Sequence, residues 1–120
     1  MRIGIDLDGT ICPIKSPDES YADLKPLPGA VDRIRQLRAS GHYVIILTAR
    51  SMATSASNIG KVMKTVGRIT LEWLDEHGVE YDEIHFGKPN AEVYIDDRAI
   101  RFTDWDDLTE ERLKNEARAR

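Results

Sequence analysis

A single cysteine, Cys12, excludes an internal disulfide and fits a reducing compartment. No apolar run approaches the ~20 residues a membrane-spanning helix needs. The amino terminus lacks a signal-peptide pattern, because Arg2, Asp6 and Asp8 interrupt its apolar stretch. A soluble, cytoplasmic protein with no membrane partner is the expectation. Positive charge is not in excess: 17 Lys and Arg face 21 Asp and Glu, a net charge of −4. The basic stripe of a general nucleic-acid binder is therefore missing. Internal repeats and low-complexity tracts are missing too. With 120 residues the chain reads as one domain, 1–120, long enough for a core but short for an enzyme.

What is present is an alternation of apolar strands and helical spacings. "RIGID" reads as a short buried strand that ends in Asp-Gly punctuation. Residues 11–28 hold four prolines and read as a loop. Pro28-Gly29 then opens a helix with Ala30, Val31, Ile34 and Leu37 on its apolar face, and Gly41 stops it. Val44 to Leu47 is a continuous apolar run, the mark of a parallel strand covered on both faces. Residues 51–64 read as partly helical. Val66, Ile69, Trp73 and Leu74 have helical spacing, with Gly78 as a stop. "DEIHFGKP" and "VYIDDR" predict a third and a fourth strand. The tail from Asp107 predicts a helix opened by an Asp107/Glu110 capping box. This order predicts an α/β, three-layer, Rossmann-like fold with a mainly parallel sheet.

In such sheets ligands bind at the carboxyl ends of the strands. Each predicted strand ends in polar residues: Asp6 and Asp8, Thr48 and Arg50, Lys88, Asp96 and Asp97. Four carboxylates gathered there would repel one another without a cation, and all-oxygen donors favour a hard ion such as Mg²⁺. Lys88 and Arg50 bring positive charge, and Thr48 a hydroxyl. A cation, a lysine, an arginine and a hydroxyl around one point suit a phosphoryl group, whose transition state spreads charge over three oxygens. An aspartate there can act as nucleophile.

The ordered set "DLDGT", "LTAR", "GKP" and "YIDD" resembles the haloacid dehalogenase (HAD) superfamily of phosphotransferases. "YADLKPLPGAVDRIRQL", "TLEWLDEHGVEYDEIHFGKP" and "DDRAIR" further resemble a branch associated with capsular polysaccharide biosynthesis, although only residues 90–92 separate "GKP" from the last predicted strand. The resemblance implies roles. Asp6 is the nucleophile that becomes an aspartyl-phosphate. Asp8 is the general acid and then the base. Thr48 and Lys88 hold phosphoryl oxygens, with Gly9, Thr10, Ala49 and Arg50 in the phosphate-binding shell. Mg²⁺ sits on Asp6, Asp8, Asp96 and Asp97, with either of the last two as the direct ligand. The acid at Asp8 separates phosphatases from dehalogenating members. The intervals before and after Thr48 are too short for a separate cap domain, so a capless enzyme with an exposed site is implied, one that accepts macromolecular substrates or uses a neighbouring subunit of a homo-oligomer as lid. A small phosphorylated metabolite such as a sugar phosphate is the first expected substrate. A polynucleotide end phosphatase is the alternative, and a non-catalytic regulatory module the other class. His42, His77 and His85 read as structural or exposed, Cys12 as packing and Trp73 as core. Trp105 reads as core or subunit contact, and Arg50 as meeting substrate phosphate in preference to a structural ion pair. Arg98, Arg101 and Lys61 stay open between substrate selection and solvated charge.

Overall fold

The computed structural model describes residues 1–119. Ile5, Val44 and Ile46 point to one side of a sheet and are buried there with Ile34, Trp73 and Leu74. The sheet holds three parallel strands in the order β1-β2-β3: β1 (Arg2–Asp6), β2 (Tyr43–Thr48) and β3 (Glu83–Phe86). The register runs from Arg2 opposite Tyr43 to Asp6 opposite Leu47, and from Ile45 opposite Glu83 to Thr48 opposite Phe86. Asp6, Leu47 and His85 thus lie at one level, with Thr48 and Phe86 one residue above.

Helix α1 (Ala30–Ala39) joins β1 to β2. A longer helical stretch joins β2 to β3: α2 (Ile59–Val62), a π-helical turn over Met63–Gly67, and α3 (Arg68–Glu76). Both crossovers step the same way across the sheet. Right-handed connections therefore put α1 and α3 on the same face, and Ile34, Trp73 and Leu74 share one core with β1 and β2. The opposite face is less covered: Ile45 and Leu47 are only half-buried. The apolar run of β2 suggested cover on both sides, and the shared side of the two crossovers explains why one side has more. Arg38 ties α1 to the approach to β3, 2.8 Å from Asp82 and 2.9 Å from Glu80. Gly29, Gly41 and Gly78 adopt positive φ at helix ends, as punctuation predicts.

Residues 51–64 are partly helical, as expected: 51–57 form turns, with Ser51, Ala56 and Ser57 in the left-handed region, and the helical stretch starts at Ile59. Two expectations are corrected. Helix α4 (Glu110–Ala119) is capped by Thr109, whose Oγ1 accepts from the Arg112 N–H at 3.1 Å. Asp107 instead pairs with Arg112 from outside the helix.

The second correction is larger: residues 93–98 form no strand. Chain reach accounts for this. The N–H of Lys88 donates to the Thr48 carbonyl at 3.0 Å, so residues 87–89 sit above β2. The open edge of the sheet beside β1 lies two strand spacings away, about 10 Å. A parallel strand facing Ile3 would have to start level with Val44, four residues below Thr48 and so about 13 Å down. The diagonal is about 16 Å, while the four steps from Pro89 to Val93 span at most about 14 Å. Residues 90–92 are too few for a fourth strand as long as β1.

Candidate active site

The carboxyl ends of the strands gather Asp6, Thr48 and Lys88. Asp6 ends β1, and Lys88 Nζ stands 3.4 Å from its Oδ1. Thr48 ends β2, with its side chain buried. Its carbonyl accepts from the N–H groups of Gly87 and Lys88, at 3.2 and 3.0 Å, which fixes the loop that carries Lys88. Its hydroxyl accepts from the Arg50 N–H at 3.1 Å. Lys88 also lies over the Tyr94 ring, 4.7 Å from its centre.

Directly after Asp6 the chain turns back. The Leu7 carbonyl accepts from the N–H groups of Thr10, Ile11 and Cys12, at 3.2, 2.9 and 3.2 Å. Gly9 takes a φ of +87° in this turn, a conformation that costs a residue with a Cβ. The turn rests on Trp105, whose Nε1 donates to the Thr10 carbonyl at 2.7 Å. Trp105 is thus part of the core.

The turn delivers Asp8 to Arg50. The guanidinium grips both carboxylate oxygens, Nε to Oδ2 at 2.9 Å and an NH2 group to Oδ1 at 3.0 Å. Arg50 has no exposed side-chain surface, whereas the Asp8 side chain is 24% exposed. Thr70 accepts a further bond from Arg50 at 3.0 Å, and Tyr21 stacks beneath the guanidinium at 4.0 Å. Arg50 is therefore engaged by Asp8, not turned toward a free phosphate. The reason is burial: a guanidinium out of water needs a paired carboxylate. Cys12 completes the cluster, its thiol donating to Asp8 Oδ1 at 3.4 Å. Burial, then the neighbouring Asp8 charge, pushes that thiol up to about 12.

Asp96 and Asp97 lie on the exposed segment after Lys88, and Asp96 lines the same groove as Asp6 and Lys88. Asp96 Oδ1 accepts from the Arg98 N–H at 2.7 Å in a local turn. Among the described residues no group of three or more His, Cys, Asp or Glu side chains is placed to hold a metal ion. Asp8 has both carboxylate oxygens on Arg50, and Asp6 faces Lys88. Gly9, Thr10 and Ala49 border the strand ends, half-buried. Lys61, Arg98 and Arg101 are exposed. His42 is buried between the Met1 amine and Glu110, His77 stacks on Trp73, and His85 pairs with Glu83.

Sequence reasoning missed Tyr21, Thr70 and Tyr94. Thr70 had a signal: it interrupts the apolar face of its helix, four residues after Val66 and three before Trp73, where a polar side chain needs a partner. Tyr21 sits in an aperiodic proline-rich loop and had none.

Residues 14–107 match the family described as 5′ nucleotidase, deoxy (pyrimidine), cytosolic type C. The chain belongs to this family. A Chlorobaculum tepidum protein provisionally named a 5′(3′)-deoxyribonucleotidase is 31% identical over 83 residues, which cover 66% of this chain. The match spans only 38% of that protein's length. A solved structure from Vibrio cholerae, whose title states no activity, is 34% identical with a TM-score of 0.86, covering 98% of this chain and 97% of that one. With the family these place the chain in the HAD-type α/β fold, and no separate cap is evident among the described residues. None of the three carries the capsular-polysaccharide assignment. No described helix is long and apolar enough to cross a membrane.

Proposed function

We propose that this protein hydrolyses phosphate monoesters, with nucleoside monophosphates, deoxyribonucleotides first, as the substrate class. The observation that carries the reading is Asp6 at the end of β1, exposed enough to meet a ligand and faced by Lys88 at 3.4 Å. Family membership and the relative's name supply the substrate class. They favour a nucleotide over the sugar phosphate expected from sequence.

In this reading an Asp6 oxygen attacks phosphorus, and the bond from phosphorus to the substrate oxygen breaks. Lys88 balances charge on the transferring phosphoryl group. The departing oxygen takes a proton from Asp8, and water then attacks the aspartyl-phosphate while Asp8 accepts its proton. Both Asp8 oxygens accept bonds from Arg50. One of those bonds must open for Asp8 to exchange a proton with substrate, and the other can keep it aimed. Arg50 is thus a positioning residue. A cytoplasmic setting fits the lone, buried Cys12.

The test is a panel of 5′- and 3′-deoxyribonucleoside monophosphates, ribonucleotides, sugar phosphates and end-phosphorylated oligonucleotides, read as phosphate release with added Mg²⁺. The expected result is kcat/KM for a mononucleotide at least about tenfold above every sugar phosphate. A preference for sugar phosphates or oligonucleotide ends would overturn the substrate class. No release from any member would overturn the activity.

A further inference from the structure

The loop that carries Lys88 is tied to the sheet at one point and covered by one apolar side chain. The N–H groups of Gly87 and Lys88 donate to the Thr48 carbonyl, at 3.2 and 3.0 Å. Both bonds end on the same oxygen, so they anchor the loop there and leave its tilt open. The tilt meets Ile59. Gly87 takes a φ of +100° and presents its Cα to the Ile59 side chain: a Cβ on it would stand 2.6 Å from Ile59 Cδ1 and 3.7 Å from Cγ1. Carbon atoms pack at about 3.5–4 Å, so the missing side chain is what lets Ile59 close on the loop backbone. Ile59 is itself held. It opens α2, whose cap Asn58 accepts from the Lys61 N–H at 3.1 Å. Three residues on, Val62 is fully buried in a small cluster with Met52 and Val66, and Phe86, directly before Gly87, packs on that cluster. Yet Ile59 is 44% exposed, so its place over the loop is not explained by burial in the core.

We infer that Ile59 is a positioning residue for Lys88. Its side chain rests on Gly87 and sets the angle at which the loop presents the ammonium, 3.4 Å from Asp6 Oδ1. The inference rests on the reading of the site given above only for what Lys88 does there. A displacement of about 1 Å in a group that stabilises a transition state can cost up to about a hundredfold in rate. A loosened loop therefore shows in turnover before it shows in stability.

Ile59→Ala removes both carbons that meet Gly87 and touches no polar group. Amide hydrogen exchange reads the loop without reference to activity. The Gly87 and Lys88 N–H groups should exchange at least about tenfold faster than in wild type, while β1 and β2 exchange as before and the urea midpoint moves little. Wild-type exchange at both amides overturns the inference. Phosphate release reads the lysine. In Ile59→Ala kcat should fall about tenfold with KM changed less than about twofold, and Ile59→Leu, which restores a terminal methyl, should recover most of the loss. In a Lys88→Met background Ile59→Ala should lower kcat by less than about a further twofold, because the group it positions is gone. An unchanged kcat in Ile59→Ala overturns the inference. An equal fall in both backgrounds does so too, since Ile59 would then act on something other than Lys88. Faster exchange at Gly87 and Lys88, in a protein without phosphatase activity, supports the pinned loop and overturns the activity alone.

Discussion

Removing the Arg50 guanidinium tests whether the second aspartate is held by a buried clamp. Arg50→Met keeps most of the side-chain volume but deletes two charge-assisted bonds to Asp8, one to Thr70 and the stacking on Tyr21. Breaking a buried ion pair by losing one partner costs about 3–5 kcal/mol. Asp8 is 24% exposed and can partly rehydrate, so the expected loss is lower, about 2–3 kcal/mol. A domain this size has about 5–15 kcal/mol in total. With a urea slope of about 1.5 kcal/mol/M the unfolding midpoint should fall by about 1.3–2 M. The buried Trp73 and Trp105 report unfolding by fluorescence. Arg38→Met is the control, because its ion pairs are more exposed and its loss should shift the midpoint far less than that of Arg50. Crossing Arg50→Met with Asp8→Asn should show a coupling of about 1–3 kcal/mol. A loss under about 0.5 kcal/mol for Arg50→Met, or additivity in the cycle, would refute the clamp.

Other expectations follow from the same geometry. Cys12 should resist alkylation in the native protein at pH 8 and react once urea unfolds it, since burial holds the thiol neutral up to about 12; native labelling at the unfolded rate would contradict this. Its linkage has a definite sign: the folded thiol sits above its ordinary value of 9.0, so this stabilisation is complete below 9.0 and is lost as pH rises toward 12. Urea midpoints that rise across that window in wild type relative to Cys12→Ala would count against it. Chelation with EDTA should abolish phosphate release and Mg²⁺ should restore it, while Ca²⁺ should inhibit; full activity after exhaustive chelation would remove the metal from the account. Lys88→Met should lower kcat with little change in urea midpoint, because its pair with Asp6 is partly exposed.

Local patterns made much of this fold legible. Apolar runs located β1, β2 and β3. Pro28, Gly29 and Gly41 bounded α1, and the spacing of Val66, Trp73 and Leu74 found the helix that closes the core. Placing polar residues at strand ends was enough to bring Asp6, Thr48 and Lys88 together. The misses were non-local. "VYIDD" has strand composition, but whether it pairs depends on the length of the tether before it and on which edge is free. Arg50 reads equally well as a phosphate ligand or an ion-pair partner until the fold shows that its side chain is buried against Asp8 and Thr70. At α4 two capping residues stood within three positions, and Thr109, next to the first helical residue, took the cap.

Acid quenching during turnover of an activated aryl phosphate, followed by intact-protein and peptide mass measurement, tests Asp6 as the nucleophile most directly. The Asp8→Asn background should slow hydrolysis of the intermediate more than its formation, because an activated leaving group needs little protonation. The account predicts the added mass of one phosphoryl group on the peptide containing Asp6, lost when Asp6→Asn is combined with Asp8→Asn. Phosphorylation at another residue, or normal turnover by Asp6→Asn alone, would contradict it.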